Sequence, residues 1–259
     1  MLIACGSDGG SSGITADNTP TDDAGTSNTN GGTDSGVNGK DAGPTSGKDA
    51  GSSADSGADA GSTVTPAQLI ALTKACKTKV STSPFATDVG SPDTVDVCGL
   101  TGAVFFTADM DVDCDGKQTA TCSKATDPSF QADTAAQAST GGPLDAAAVP
   151  FVVVPLVSTK WSYTASGLAL GSVVAVIYNG KMEFGVIGDL GPKTIIGESS
   201  VAMAKSLGIP ASPTTGGVDS GVTYIAFTGK SAMVSKNEDH AEAVSKGLAA
   251  AQALITNNP

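Results

Sequence analysis

The chain has 259 residues, 39% of them hydrophobic, and a formal net charge of −12 at pH 7. It contains no arginine, the side chain best suited to bind phosphates and carboxylates, whereas nucleic-acid binding needs a basic surface. Composition therefore argues against nucleic acid and other anionic partners and predicts a cationic ligand.

The first five residues, Met1 to Cys5, resemble the end of a bacterial lipoprotein signal, where a small residue precedes a lipid-bearing cysteine. We expect Cys5 to be a lipid anchor; the alternative is a stray buried cysteine. The basic and long apolar parts of an export signal are missing, so we expect either that the assigned start is too late or that the chain has been trimmed. Residues 6–64, rich in Gly, Ser and Asp, cannot bury enough apolar surface to offset ordering, which predicts a disordered tether.

The folded domain is predicted to occupy residues 65–259 and to begin with a helix. Thr65 and Gln68 stand at the two positions of a reciprocal capping box, and Pro66 suits the first helical turn. The apolar spacing that follows predicts that this helix continues to about Lys79.

Four cysteines fall in the first third of this domain. An even number in a chain with an export signature predicts two disulfides. We pair Cys76 with Cys98 and Cys114 with Cys122, because each pair closes a short loop. Zinc binding would need closer, paired ligand spacing.

Most of the remaining sequence has a strand-like pattern. The clearest signal is a hairpin in which residues 172–178 and 181–187 flank Asn179-Gly180, a dipeptide suited to a two-residue turn. The other predicted elements are strands at residues 104–106, 150–157, 194–197 and 221–228 and helices at residues 200–207 and 237–255. Many short strands with few helices predict a compact barrel or sandwich.

Two acidic residues, Asp189 and Glu198, stand in the segment GDLGPKTIIGESS. Alternation along the preceding strand places Glu183 and Asp189 on its more open face. The Gly-Pro turn that follows lets the chain return alongside this strand and bring Glu198 toward Asp189. We therefore expect both carboxylates at one rim of the sheet.

Two carboxylates placed in this way suit glycosidic hydrolysis, in which one protonates the leaving oxygen and the other attacks the sugar or activates a water. The alternative is structural, with Asp189 capping a turn and Glu198 capping the helix that begins near Ser200. The single histidine, His240, lies in a charged helix start and is expected to be solvated, so no credible Ser-His-Asp set can be assembled.

Several separate blocks carry a family resemblance. The segments FFTADMDVDCDG, GDLGPKTIIGESS, AMAKSLGIP and TTGGVDSGVTYI resemble the signature blocks of glycoside hydrolase family 75, the endo-chitosanases. The resemblance covers about residues 98–229. It implies that Asp189 and Glu198 are the catalytic carboxylates of an inverting enzyme, with Glu198 as general acid and Asp189 as base.

The same turn and helix are also similar to double-psi β-barrels, including lytic transglycosylases and expansin-like proteins. The fold we expect is therefore mainly β, a small six-stranded barrel of the double-psi type with peripheral helices. The alternatives to a chitosanase are a barrel that cleaves cell-wall glycans and a non-catalytic polysaccharide-binding lipoprotein.

The run from Asp109 to Asp115 has four acids at alternate positions, which a strand would present on one face. It could be a solvated acidic turn, a subsite for cationic sugars or the start of a calcium loop at Asp111, although Cys122 stands where such a loop needs its bidentate Glu. We expect Asp109, Asp111 and Asp113 to bind substrate.

Gln131 and Glu183 complete the expected substrate-binding set. Trp161 and Tyr163 could stack on a sugar, although packing in the core is the expected use of each. The expected partner is chitosan or its glucosamine oligomers, without cofactor, metal or nucleic acid. Any membrane contact is expected only through a lipid on Cys5, and the protein is expected to be an extracellular or cell-envelope monomer.

Overall fold

A computed structural model describes residues 64–259. The predicted lipid anchor at Cys5 and the predicted tether, apart from Val64, lie outside the described residues. Among residues 64–259, no helix combines the length and the apolarity needed to span a membrane.

Seven strands and three α-helices make up the domain. In chain order they are α1 (Pro66–Leu72), β1 (Cys98–Leu100), β2 (Ala103–Asp113), β3 (Phe151–Pro155), β4 (Val173–Tyr178), β5 (Lys181–Gly191), β6 (Glu198–Ser200), α2 (Val201–Leu207), β7 (Val218–Phe227) and α3 (His240–Asn257). A short 3₁₀ helix at Lys230–Ala232 precedes α3.

Six of the strands close into a barrel. Their order is β2-β6-β3-β5-β4-β7, and β7 pairs back onto β2 over most of its length. Strand β1 pairs with the first residues of β2. It lies on the same edge of β2 that pairs with β6 at the other end of the strand. Closure satisfies the backbone groups that an open sheet leaves at its edges. The structure thus confirms the predicted six-stranded, mainly β barrel with peripheral helices.

Strand β3 explains why the segment PFVVVPLV is apolar at consecutive positions. Phe151 and Val153 belong to one buried apolar cluster, and Val152 and Val154 belong to another on the opposite face of the sheet. The first cluster includes residues of α3, and the second includes residues of α2. Both faces of this strand are therefore buried, as predicted.

The predicted hairpin is formed by β4 and β5. Asn179 and Gly180 have φ values of 47° and 76°, the left-handed conformations that a tight turn between twisted strands requires. The resulting antiparallel pairing runs from Tyr178–Lys181 back to Val173–Val186.

Two helices match their predictions and one is shorter. Helix α2 has Ser200 as its N-cap and ends at Gly208 in the left-handed conformation, and α3 begins three residues later than predicted. Helix α1 has the predicted capping box but ends at Leu72, not at Lys79. The chain leaves the helix there because Lys79 forms a β-bridge with Cys98.

Both predicted disulfides are present. Cys76 bonds to Cys98, which ties the segment after α1 to β1, and Cys114 bonds to Cys122, which closes a loop directly after β2.

The predicted strand at residues 194–197 is wrong. Ile195 makes only an isolated bridge to Ala86, and Gly197 has a φ of 120°, which interrupts extended structure. The strand begins instead at Glu198, and it pairs with β2 and β3 rather than returning alongside β5.

Candidate active site

The two acids singled out in the sequence lie in one row across the barrel. On β3, Val153 pairs with Asp189 of β5 on one side and with Glu198 of β6 on the other. Glu198 pairs in turn with Asp111 of β2. Residues opposite one another in a sheet project from the same face. Three carboxylates, from Asp111, Glu198 and Asp189, therefore share one face of four neighbouring strands.

One strand separates Asp189 from Glu198. Neighbouring strands lie about 4.8 Å apart, so the two α-carbons are separated by about 10 Å. A β-carbon placed on Gly191 would lie 3.5 Å from Glu198 Oε2 and 3.0 Å from Val153. The carboxylate of Glu198 thus extends across β3 toward β5, and the missing side chain of Gly191 leaves room for it.

Asp189 is held by two backbone groups. Its Oδ1 accepts hydrogen bonds from the N–H groups of Ala135 and Leu190, both at 2.8 Å. Burial raises the pKa of Asp189 above its usual value, while the same two N–H groups act in the opposite direction. These bonds fix one oxygen and favour the ionised form.

Glu198 is a partly exposed residue whose carboxyl group lies among other acids. Burial raises its pKa to about 8, and the negative charges of Asp111, Asp115 and Asp189 add to the rise. A carboxylic acid with this pKa keeps its proton at neutral pH and can donate it. The structural alternative for Glu198 is wrong, because the N-cap of α2 is Ser200.

Glu198 lines an acidic cleft of about 410 Å³. The other acids of its wall are Asp88, Asp111, Asp113, Asp115, Asp127 and Asp219, and the polar groups with them include Ser129, Gln131, Thr214 and Thr215. No lysine or histidine lines the cleft within the described residues. Its negative potential suits a cationic ligand.

The run that begins at Asp109 is not a solvated turn. It continues β2, and both Asp109 and Asp113 are buried. Asp113 Oδ1 accepts the N–H of Asp115 at 2.7 Å, and Asp115 Oδ1 accepts the N–H of Gln131 at 2.6 Å. These bonds attach the loop after β2 to the cleft wall.

The buried acids of β2 have raised pKa values. Burial, followed by the charge of Glu198, raises the pKa of Asp113 well above its usual value. Burial raises the pKa of Asp109 to about 8, with Asp111 and Asp88 adding to the effect. Asp113 in the cleft wall and Asp109 outside it therefore hold their protons at pH values where ordinary aspartates are ionised.

The structure brings together most of the predicted site residues. Asp111, Asp113, Gln131 and Glu198 line the cleft. Asp189 is not among the lining residues and is related to Glu198 through the row across β3. Asp109 is not part of the cleft lining and packs against Gly197 instead.

Glu183 is not brought to the cleft. It lies near the start of β5, six positions before Asp189, and its Oε1 lies 2.9 Å from Nε2 of His240 at the start of α3. Trp161 is buried in the core, as expected.

Three acids of the cleft were not singled out from the sequence: Asp88, Asp127 and Asp219. Asp115 belongs to the alternating run that begins at Asp109, but it was not included in the expected substrate-binding set. Asp88, Asp127 and Asp219 come from separate parts of the chain, and no periodic pattern connects them to the site.

A scan of known families matches residues 110–256 to the family described as fungal chitosanase of glycosyl hydrolase group 75. The chain belongs to this family. The matched segment contains Asp111, Asp189 and Glu198, which form the acidic row, and it extends to the last turn of α3. The resemblance recognised in the signature blocks is thereby confirmed.

Curated relatives agree with this assignment. The chain is 35% identical to endo-chitosanase B of Aspergillus oryzae (strain ATCC 42149 / RIB 40) over 157 residues, which cover 54% of this chain and 65% of the relative. It is 34% identical to an endo-chitosanase of Aspergillus fumigatus over 151 residues, 52% of this chain and 63% of the relative. It is 38% identical to endo-chitosanase C of Aspergillus oryzae over 140 residues, 51% of this chain and 34% of the relative. The chain thus spans no more than 65% of the length of these relatives.

Proposed function

We propose that the protein is an endo-chitosanase, which hydrolyses internal β-1,4 linkages between glucosamine units with inversion at the anomeric carbon. The observation that carries this proposal is the pair Asp189 and Glu198, separated by one strand on one face of the barrel beside an acidic cleft. Membership of the family and the names of the relatives support the substrate.

Glu198 is the general acid of the proposed reaction. Its raised pKa keeps a proton available, which passes to the glycosidic oxygen as the bond from that oxygen to the anomeric carbon breaks. Glu198 thereby becomes a carboxylate, and the leaving sugar gains a hydroxyl group.

Asp189 is the general base. With Oδ1 held by two N–H groups, it accepts a proton from a water whose oxygen attacks the anomeric carbon from the opposite side. Inverting glycosidases separate their two carboxyl groups by about 6.5–9.5 Å to make room for this water. The α-carbon separation of about 10 Å across β3 is compatible with that requirement.

The cleft supplies the proposed recognition of chitosan. Glucosamine units carry ammonium groups in mildly acidic water, and Asp111, Asp113 and Gln131 line the cleft next to Glu198. An acidic wall without lysine favours such a polymer over the anionic or neutral glycans of a cell wall. Glu183 stays outside this proposal because of its position beside His240.

Digestion of defined glucosamine oligomers tests the proposal. With NMR following the anomer first released, an α product is expected, and a β product would contradict inversion. Release of reducing ends from peptidoglycan but not from chitosan would replace the proposal by the cell-wall alternative.

Two substitutions test the residues. Glu198→Gln and Asp189→Asn are each expected to lower turnover by about 10²-fold or more while oligomer binding is retained. Glu183→Gln and Asp93→Asn are the matched controls outside the cleft and should keep turnover within about 2-fold. Unchanged turnover in the Glu198 or the Asp189 variant would remove that residue from the mechanism.

We also propose that the protein works outside the cytoplasm, attached to a membrane through a lipid on Cys5. Its two disulfides support an oxidising compartment. With a complete export signal placed before Met1, Cys5→Ala is expected to move the protein from the membrane fraction to the medium. The monomeric state stays a prediction.

A further inference from the structure

Three carboxylates form a cluster beside the cleft. Asp109 and Asp111 come from β2, and Asp88 comes from the loop between Phe85 and Val95. Each offers an oxygen, and these three oxygens all lie within 4.8 Å of one another. Within residues 64–259, none of the three forms a salt bridge with a lysine. The cluster therefore brings three carboxyl groups together without a cationic side chain paired to them among the described residues.

Asp109 gives an independent reason to expect a ligand here. Its side chain is only 5% exposed, and its Oδ1 is buried without a hydrogen-bond partner among the described residues. Most buried polar atoms in folded proteins are paired, and leaving a buried carboxyl oxygen without a partner is costly. The missing partner must be small, because a β-carbon built on Gly197 would already overlap Oδ1.

We propose that Asp88, Asp109 and Asp111 bind one divalent metal ion of the calcium class. Carboxylate oxygens are the ligands such hard cations prefer, and Ca²⁺ holds them at about 2.3–2.6 Å. Two oxygens bound to the same Ca²⁺ can then be at most about 5 Å apart. The three carboxylate oxygens, which all lie within 4.8 Å of one another, can therefore share one ion. Water would complete the coordination.

A bare ion fits the cluster better than the ammonium group of a sugar. Asp88 and Asp111 face the cleft, but Asp109 does not contribute to its wall. An ammonium group carried on a sugar ring would have to bring the ring close to a buried side chain. A small ion entering from the cleft can contact all three carboxylates.

This ligand set differs from the calcium loop considered in the sequence. That loop would take all its ligands from residues 111–122, whereas here Asp111 acts with Asp109 on the same strand face and with Asp88 from a distant segment. Asp88 precedes the segment that matches the family, which begins at Met110. The proposed ion therefore needs a ligand from outside the matched segment.

The ion would join two parts of the cleft wall. The loop that carries Asp88 is connected to the neighbouring segment through the Ala86–Ile195 bridge, and Asp111 lies opposite Glu198 in the parallel pairing of β2 with β6. Binding to the folded state alone raises its stability. The proposal therefore predicts that calcium stabilises the protein in the absence of any sugar.

The test is a titration of the EDTA-treated full chain with CaCl₂, without substrate. Calorimetry should give one ion per chain, and saturating Ca²⁺ should raise Tm by about 3 °C or more. Asp88→Asn is expected to weaken Ca²⁺ binding by about 10-fold or more while the apo protein stays folded, since Asp88 is exposed. Asp219→Asn, which removes an acid of the same cleft outside the cluster, is the matched control and should bind Ca²⁺ as the parent does.

Three results would overturn the proposal. The first is that the parent binds none of Ca²⁺, Mg²⁺ and Mn²⁺. The second is that Asp88→Asn and Asp219→Asn lose equal Ca²⁺ affinity. The third is that Asp88→Asn and Asp109→Asn both bind Ca²⁺ as tightly as the parent does. If glucosamine oligomers but no metal stabilise the parent, and Asp88→Asn abolishes that effect, the cluster binds ammonium groups instead. All readouts are independent of hydrolysis, so failure here leaves the chitosanase proposal standing.

Discussion

Glu198, the proposed general acid, illustrates how a protonated buried acid can weaken the fold. Its carboxyl group lies among Asp111, Asp115 and Asp189, and its folded-state pKa of about 8 lies far above the ordinary value of 4.5. Between these two values the folded state holds a proton that the unfolded chain releases. Stability contributed by this residue is therefore lost as pH rises above about 4.5.

We expect Glu198→Gln to raise the free energy of unfolding by about 2 kcal/mol at pH 7, because the amide removes the ionisation that favours unfolding. At pH 4 both states of the parent hold the proton, so the gain should vanish. Urea unfolding at the two pH values measures the difference, with EDTA present so that no bound metal contributes. Glu183→Gln serves as control, and an equal gain at both pH values would contradict the electrostatic explanation.

Gly197 shows how a backbone position can set the geometry of an acid. Its φ of 120° and the overlap that any β-carbon there would make with Asp109 Oδ1 exclude a side chain at this position. Gly197→Ala should cost about 2 kcal/mol or more, since it adds a clash to the unfavourable φ.

Gly102→Ala separates the two causes, because Gly102 has a φ of 95° but no atom within 4 Å of the place that a β-carbon would take. This variant should cost only about 1 kcal/mol in thermal or urea unfolding. Equal losses in the two variants would mean that contact with Asp109 is unimportant.

At the scale of elements, the Cys114–Cys122 disulfide joins the end of β2 to the loop that supports Asp115 and Gln131. Replacing both cysteines by Ala should lower stability by about 2–3 kcal/mol, because the unfolded chain regains the entropy of the closed loop. It should also raise KM for chitosan, because the loop carries part of the cleft wall.

The Cys76–Cys98 disulfide provides the matched comparison. It ties the segment after α1 to β1, and neither cysteine lines the cleft. Replacing this pair by Ala should lower stability without changing KM. Unfolding curves and steady-state kinetics on the two double variants measure both effects, and a similar rise of KM in both would assign it to general loosening of the fold.

Elements with local signals were predictable from the sequence. The Asn179-Gly180 turn, the Thr65 capping box and the Gly208 helix end each depend on a few neighbouring residues, and the structure confirms them. The early end of α1 was not predictable, because it depends on pairing of Lys79 with a strand that begins nineteen residues later. Position 197 likewise looked compatible with a strand until its φ and its contact with Asp109 were known.

At the scale of the whole molecule, the proximity of Asp189 and Glu198 was predicted but its structural basis was different. The sequence suggested two adjacent strands joined by a turn, whereas β3 lies between them and Val153 pairs with both acids. The placement of Asp111 opposite Glu198 depends on the pairing of β2 with β6, two strands that are far apart in the sequence. Hydrophobic alternation indicates which face of a strand is buried, but it carries no information about strand order.

The acidic cleft leads to one further prediction, which concerns the effect of salt on substrate binding. If carboxylates attract the ammonium groups of chitosan, added salt should weaken binding, because the Debye length falls from about 14 Å at 0.05 M to about 4 Å at 0.5 M. KM should therefore rise several-fold over this range, while kcat changes little because the acid and base act at short distance. Steady-state kinetics on chitosans of increasing acetylation provide the control, since each acetyl group removes a positive charge and should flatten the salt dependence. A dependence equally steep for fully deacetylated and highly acetylated polymers would show that charge attraction does not govern binding to this cleft.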